Sequence, residues 1–234
     1  MRPIDASLFS AILPDSAVAI DAPGWLADAR LWPEEALSLG TVAATRHREF
    51  SVARTCARRA MQALGVPAVP ILIGRDREPL WPEEIVGSIT HCTGLCAAAV
   101  ARRGDLLAIG IDAEPRGTLP EGILDMIASE AERAWIHTQR GDGVDWDRLL
   151  FSAKESVFKA WFFLTHRWLG FKDAVVSFDG DSNAFDARLL VEGPCVGGAT
   201  LHAFAGRYAL CSEHLVTAVS VTADPVDIGE RTAA

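Results

Sequence analysis

The chain has 234 residues, half of them apolar, and a formal net charge of −9 at neutral pH. That length suits one large domain or two small ones with ample material for a core. The acidic balance argues against non-specific nucleic-acid binding, which needs surplus Lys and Arg, and no apolar run approaches the roughly eighteen residues of a membrane span.

Residues 1–10 lack a basic segment followed by a long apolar core, so no secretory signal is expected. Turn signals follow at Pro14, Pro23–Gly24 and Pro33. From 45 to 64 the pattern becomes helical, with Phe50, Ala53, Ala57, Met61 and Leu64 at three- and four-residue steps. Gly65 and Pro67 stop it. Residues 70–74 read as a short strand and 75–82 as a polar, proline-bearing loop. Residues 86–90 and 96–101 read as strands around a turn at 91–94. A strand at 106–114 ends at Pro115.

Ser129 and Glu132 have capping-box spacing and open a helix to about 139. A second strong helix runs from 147 to 163. Strands are expected at 184–191, 200–205, 208–211 and 215–221, then a frayed tail from Asp224. Strands and helices are intermixed, with several hairpins, which gives an α+β class with largely antiparallel sheets. A weak boundary falls near 102–105. The five cysteines are odd in number and form no CxxC, which fits a reduced, cytoplasmic protein. Cys92 and Cys96 have no second Cys/His pair at zinc-finger spacing.

Two segments carry candidate chemistry. On a strand over Ala108-Ile109-Gly110-Ile111-Asp112-Ala113-Glu114, side chains alternate faces. Ile109, Ile111 and Ala113 point one way; Gly110, Asp112 and Glu114 point the other. Paired carboxylates on one face imply either solvent or a cation between them. Gly110 permits close approach of another chain or a ligand. On the 147–163 helix, Phe151, Glu155, Phe158 and Phe162 share a face. Glu155 therefore sits in an aromatic stripe expected to be buried. Two readings stand: an ion pair with Lys159 one turn on, or a carboxylate facing a metal. Asp112, Glu114 and Glu155 together offer hard oxygen donors of the kind Mg²⁺ takes. Lys154 and Lys159 lie nearby and suit phosphates.

Upstream, Arg46, Arg48, Arg54, Arg58 and Arg59 give the first helix a loose basic face, which is either solvated or anion-binding. The Arg75–Glu78 loop is similarly open. Ser88 and His91 bring small polar groups to the hairpin. Cys92 beside His91 makes a poor nucleophile–base pair, because strand neighbours point to opposite faces.

Gly110-Ile111-Asp112-Ala113-Glu114, followed by Phe151-Ser152-Ala153-Lys154-Glu155-Ser156-Val157-Phe158-Lys159-Ala160, resembles the two-part signature of 4'-phosphopantetheinyl transferases. Blocks at 46–65, 77–82 and 86–92 agree in order and spacing. The resemblance covers residues 40–172. It points to the surfactin-synthetase-activating type and, within that type, to the branch of siderophore and actinobacterial lipid synthesis.

It implies two similar α+β halves, 1–108 and 109–234, related by a pseudo-two-fold, with coenzyme A in the cleft between them and no second chain required. By the same resemblance Asp112, Glu114 and Glu155 coordinate Mg²⁺, and Lys154 and Lys159 meet the pyrophosphate. Arg46, Arg54 and His91 hold the 3'-phosphate and adenosine end, and Ser88 lies near the pyrophosphate. Relatives often carry a lysine where this sequence has Ile73; Arg75 or Arg77 is offered in its place. The implied reaction moves phosphopantetheine to a serine of an apo acyl or peptidyl carrier protein. The segment 161–172, rich in aromatic and basic residues, is the candidate carrier-docking patch. Two rival readings are a non-catalytic coenzyme A-binding protein and a Mg²⁺-dependent pyrophosphate hydrolase.

Overall fold

The structure, a computed structural model, describes residues 7–139 and 143–222. The expected frayed tail from Asp224 lies outside the described residues. In chain order the elements are β1 (Ala17–Ala22), α1 (Pro33–Leu39), α2 (Ala44–Ala63), β2 (Leu72–Ile73), β3 (Pro79–Leu80), β4 (Ile85–Cys92), β5 (Leu95–Arg102) and β6 (Ala108–Pro115). Then come α3 (Ile123–Ile127), α4 (Glu130–Thr138), α5 (Trp146–Thr165), β7 (Ala174–Asp179), β8 (Ala184–Leu189), β9 (Cys195–Val196), β10 (Ala199–Thr200), β11 (Ala203–Leu210) and β12 (His214–Val221).

Two antiparallel sheets dominate, ordered β1-β5-β4 and β6-β12-β11-β8-β7. Each carries a long helix. α2 lays Val52, Ala53, Cys56, Ala57, Ala60 and Met61 on Cys96, Ala98 and Val100 of β5. Its end is a left-handed Gly65 (φ 74°), with the Val66 N–H donating to the Met61 carbonyl, a glycine-capped stop. α5 buries Leu149, Leu150, Ala153, Val157 and Trp161 against the larger sheet. Full burial of a Leu or Val contributes roughly 1.5–3 kcal/mol. Between the sheets lies a third core, with Ala97, Ala99 and Ala101 of β5 against Ile109, Ile111 and Ala113 of β6. The result is a four-layer α/β/β/α arrangement, an α+β fold of two subdomains.

The seam between the sheets positions the site. β6 pairs with β12 along one edge. Its other edge meets β4 through side chains, not a backbone ladder. Ile111 N–H donates to Ser88 Oγ (3.1 Å) and Ala113 N–H to Thr90 Oγ1 (3.3 Å). These hydroxyls satisfy buried donors that would otherwise be costly.

Several expectations needed adjustment. His91 and Cys92 belong to β4, and the turn is confined to Thr93 and Gly94. The break expected between 205 and 208 is absent, because β11 runs through Gly206. A Cβ there would lie 2.1 Å from the Phe185 ring, and the paired strand covers the bare glycine with that ring. β1 and β7 were not anticipated. The capping box at Ser129 and Glu132 is formed as read.

Candidate active site

Gly110 decides how α5 meets β6. A Cβ at this position would lie 1.9 Å from the Ser156 carbonyl oxygen and 2.9 Å from the Ala160 nitrogen. Only a bare backbone lets the helix seat so close. The seating puts Lys159 over Asp112. Lys159 Nζ donates to Asp112 Oδ1 (2.8 Å) and to the Ile111 carbonyl (2.9 Å). Thr90 Oγ1 also donates to Asp112 Oδ1 (3.1 Å). Asp112 Oδ2 is buried with no hydrogen-bond partner. A buried orphan acceptor of this kind is costly and marks a place for a further donor or cation.

Glu114 lies two residues along the same face. It accepts from Arg148 Nη1 (2.9 Å), whose other nitrogens donate to the carbonyls of Gly117 and Thr118. Burial and the Asp112 charge raise the Glu114 pKa above the ordinary carboxylate value. Glu155 is half-buried and makes no hydrogen bond or ion pair with any described residue. Burial raises its pKa; Lys159 offsets part of this, while Asp112 and Glu114 add to it. The intrahelical Glu155–Lys159 pair is therefore not formed, because Lys159 is committed to Asp112.

The aromatic stripe is half-buried, not core. Phe158 packs on Phe162 and Trp168, and Phe151 stacks on Phe171. Among the described residues, no three His, Cys, Asp or Glu side chains are already drawn close enough to hold a metal ion. The three acids feel one another's charge without converging. Their oxygen chemistry and the orphaned Asp112 Oδ2 fit a hard cation that completes its shell with water and phosphate oxygens.

Two clefts flank this centre. One, of about 810 Å³, is lined by Lys159, Ser88, Trp81, Arg77, Phe158 and Trp168. The other, of about 380 Å³, is lined by Arg46, Arg54, His91, Arg77, Phe50 and Ile73. Arg77 borders both. Phe158 and Trp168 also wall a small cavity, of about 110 Å³, that reaches Glu155.

In the second cleft, Arg46 Nη1 donates to His91 Nε2 (2.5 Å). Loss of water and the Arg46 charge lower the His91 pKa, consistent with a neutral, accepting ring. Arg54 is buried, its Nε donates to the Ile71 carbonyl (2.8 Å), and its guanidinium lies 4.0 Å over the Phe50 ring. Burial lowers its pKa to about 10.

Two expected site residues are placed elsewhere. Lys154 is buried beneath α5. Its Nζ donates to Glu132 Oε2 and lies within hydrogen-bond distance of the carbonyls of Ile127, Phe171 and Ala174. An ammonium has three protons, so none is left for a phosphate. With Glu155, Lys154 lines the small cavity walled by Phe158 and Trp168, and it lines neither of the two larger clefts. Arg75 is exposed and lines neither cleft. Burial pushes the Cys92 thiol up to about 12, which disfavours the thiolate a nucleophile needs.

Sequence reading missed Thr90 and Arg148. Arg148 precedes Glu155 by seven residues, two helical turns, and that spacing was the available signal.

Lys154→Met is expected to cost about 3–5 kcal/mol, because it strands the buried Glu132 carboxylate. For a chain of this size, that is a fall of roughly 10 °C or more in the thermal midpoint. Scanning calorimetry checks it. An unshifted midpoint with lost activity would return Lys154 to the chemistry.

The chain matches known proteins over most of its length. Residues 33–101 match the profile of the 4'-phosphopantetheinyl transferase N-terminal domain. Residues 108–209 match that of the 4'-phosphopantetheinyl transferase superfamily. The chain is 47% identical over 232 residues to the 4'-phosphopantetheinyl transferase Svp of Streptomyces mobaraensis, covering 97% of this chain and 94% of that one. It is 45% identical over 191 residues to PptT of Mycobacterium tuberculosis, covering 80% and 84%. It is 35% identical over 136 residues to enterobactin synthase component D of Escherichia coli K12, covering 56% and 62%.

Proposed function

This chain belongs to the 4'-phosphopantetheinyl transferase superfamily, among its actinobacterial members, and we propose that the β4–β6 seam is where its chemistry occurs. The protein transfers the phosphopantetheine group of coenzyme A to a carrier protein. In our reading the acceptor is a serine of an apo acyl or peptidyl carrier, and adenosine 3',5'-bisphosphate leaves. The observation that carries this is Asp112, with one oxygen held by Lys159 and Thr90 and the other unpartnered, beneath a lysine that lines the larger cleft.

Asp112, Glu114 and Glu155 would hold Mg²⁺, which when bound supplies charge stabilisation to the pyrophosphate. The protein's own groups do the rest. The serine oxygen bonds to the phosphorus bearing pantetheine as that phosphorus loses its bond to the bridging oxygen. Lys159 has two protons committed to Asp112 and Ile111, and the third is free to meet a phosphate oxygen. Glu155, raised in pKa and unpaired, takes the serine proton directly or through a water it holds. Arg46, Arg54 and His91 receive the 3'-phosphate end. Arg77 bridges toward the larger cleft beside Ser88, which suits the pantetheine arm. Arg77 fills the role left open by Ile73, and Arg75 does not.

The halves 1–108 and 109–234 meet at this seam, so one copy suffices and a monomer is expected. No described helix is long and apolar enough to cross a membrane; we place the protein in the cytoplasm, without nucleic-acid partners.

The test is to incubate the protein with coenzyme A, Mg²⁺ and apo carrier, and to weigh the carrier. A gain of one phosphopantetheine, abolished by chelator, is expected. Breakdown of coenzyme A without carrier modification would instead point to a hydrolase.

A further inference from the structure

Arg54 and Arg58 sit one turn apart on α2, both buried, yet their fates differ. Arg58 is neutralised. Its Nη1 lies 2.6 and 2.5 Å from the two oxygens of Glu35, a carboxylate with no exposed surface. Its Nη2 donates to the Arg30 carbonyl (2.6 Å) and to Thr55 Oγ1 (3.2 Å). Arg54 has no carboxylate partner among the described residues and keeps its charge for the cleft it lines.

Glu35 does more than pair with Arg58. Its Oε1 also accepts the Ile71 N–H (3.1 Å), and its Oε2 accepts the Trp32 N–H (2.9 Å). The carbonyl of that same Ile71 accepts from Arg54 Nε. Residue 71 is thus gripped on one side by Glu35 and on the other by Arg54. One turn on in α1, Ser38 Oγ accepts the Ile73 N–H (3.0 Å) and extends the same clamp along β2. With Nε used, both Nη groups of Arg54 are left for an anion.

We infer that Glu35 is a positioning residue for anion recognition: through Ile71 it fixes the guanidinium of Arg54, while Arg58 absorbs the carboxylate charge that would otherwise neutralise Arg54. This rests on the reading that the Arg46–Arg54–His91 cleft takes the 3'-phosphate of coenzyme A.

The experiment compares kcat/KM for coenzyme A and 3'-dephospho-coenzyme A in the full chain, with carrier in excess. Arg54→Gln is the control for the underlying reading and should erase the preference for the 3'-phosphate. Glu35→Gln should lower that preference about tenfold, through KM and with kcat within about twofold, while the dephospho substrate is handled as before. A general loss of structure would depress both substrates alike. Because Glu35→Gln strands a buried arginine, a second variant, Glu35→Leu with Arg58→Met, removes both charges; such swaps often leave stability intact. It should unfold near the wild-type temperature and still show the tenfold loss. A full 3'-phosphate preference in that double variant, beside a lost one in Arg54→Gln, would overturn the inference. An unchanged preference in Arg54→Gln would sink the cleft assignment, and the inference with it.

Discussion

Glu155→Gln is expected to lower the rate of carrier modification by about 10³-fold or more, as loss of a base or of a charge-stabilising group does, and at the same time to make the metal-free protein more stable at neutral pH. The two effects share a cause. Burial raises the Glu155 pKa, with Lys159 offsetting part of it and Asp112 and Glu114 adding to it. A carboxyl with a raised folded-state pKa contributes stability below its unfolded value, and loses that contribution as pH rises through the folded value. Between those two values the wild type loses it progressively. A glutamine never titrates, so the stability gap should open in favour of the variant across the carboxylate range and then stay constant. Thermal midpoints measured from below the ordinary glutamate pKa to neutrality, in chelator, read this directly. Mg²⁺ should then stabilise the wild type more than the variant, since binding to the folded state raises its midpoint. Transfer by Glu155→Gln at near wild-type rate would remove Glu155 from the site.

What the sequence made legible follows from distance along the chain. α2, α4 and α5 were readable because their signals are local: apolar steps of three and four, and a capping box whose two hydrogen bonds lie within four residues. The facing of Asp112 and Glu114 was readable because strand alternation is local too. β1 and β7 were not, because their place is set by partners elsewhere; β1 pairs with β5 some eighty residues on. Thr90 and Arg148 act across 22 and 34 residues; the two-turn spacing of Arg148 from Glu155 is the one local hint, and it does not name Glu114 as the partner. Lys154 shows where a local reading stops. Its ammonium is held by Glu132 and by carbonyls of Ile127, Phe171 and Ala174, partners 17 to 27 residues away that nothing beside it in the sequence announces. The five matched blocks gave the family; they did not say that Lys159 pairs with Asp112 while Lys154 pairs with Glu132.

Gly110→Ala carries the second large effect, and it acts without touching any functional side chain. The new Cβ would meet main-chain atoms of Ser156 and Ala160, which no rotamer change can remove. α5 must shift off β6, or the strand must sink into the inter-sheet core of Ile109 and Ile111, both fully buried. Overpacking of this kind typically costs about 1–3 kcal/mol, occasionally more. The functional cost is expected to be the larger. Glu155 and Lys159 ride on α5 and Asp112 rides on β6, so a shift at this contact moves them relative to one another. A displacement of about 1 Å is enough to lose on the order of 10²-fold in rate. The arginine cleft is lined by α1, α2, β4 and the 73–79 segment, with no residue of α5, so its hold on the 3'-phosphate end of coenzyme A should survive. The expected signature is kcat down about 10²-fold, KM for coenzyme A within a few-fold, and a thermal midpoint lowered by several degrees. A comparison with Gly206→Ala sharpens it. That glycine also forbids a side chain, but it sits on β11, two strands from β6, and faces the Phe185 ring. Gly206→Ala should lose stability and keep its kcat. If both variants lose kcat in proportion to stability, the close approach at Gly110 serves folding alone, and the alignment of α5 over Asp112 is not what sets the rate.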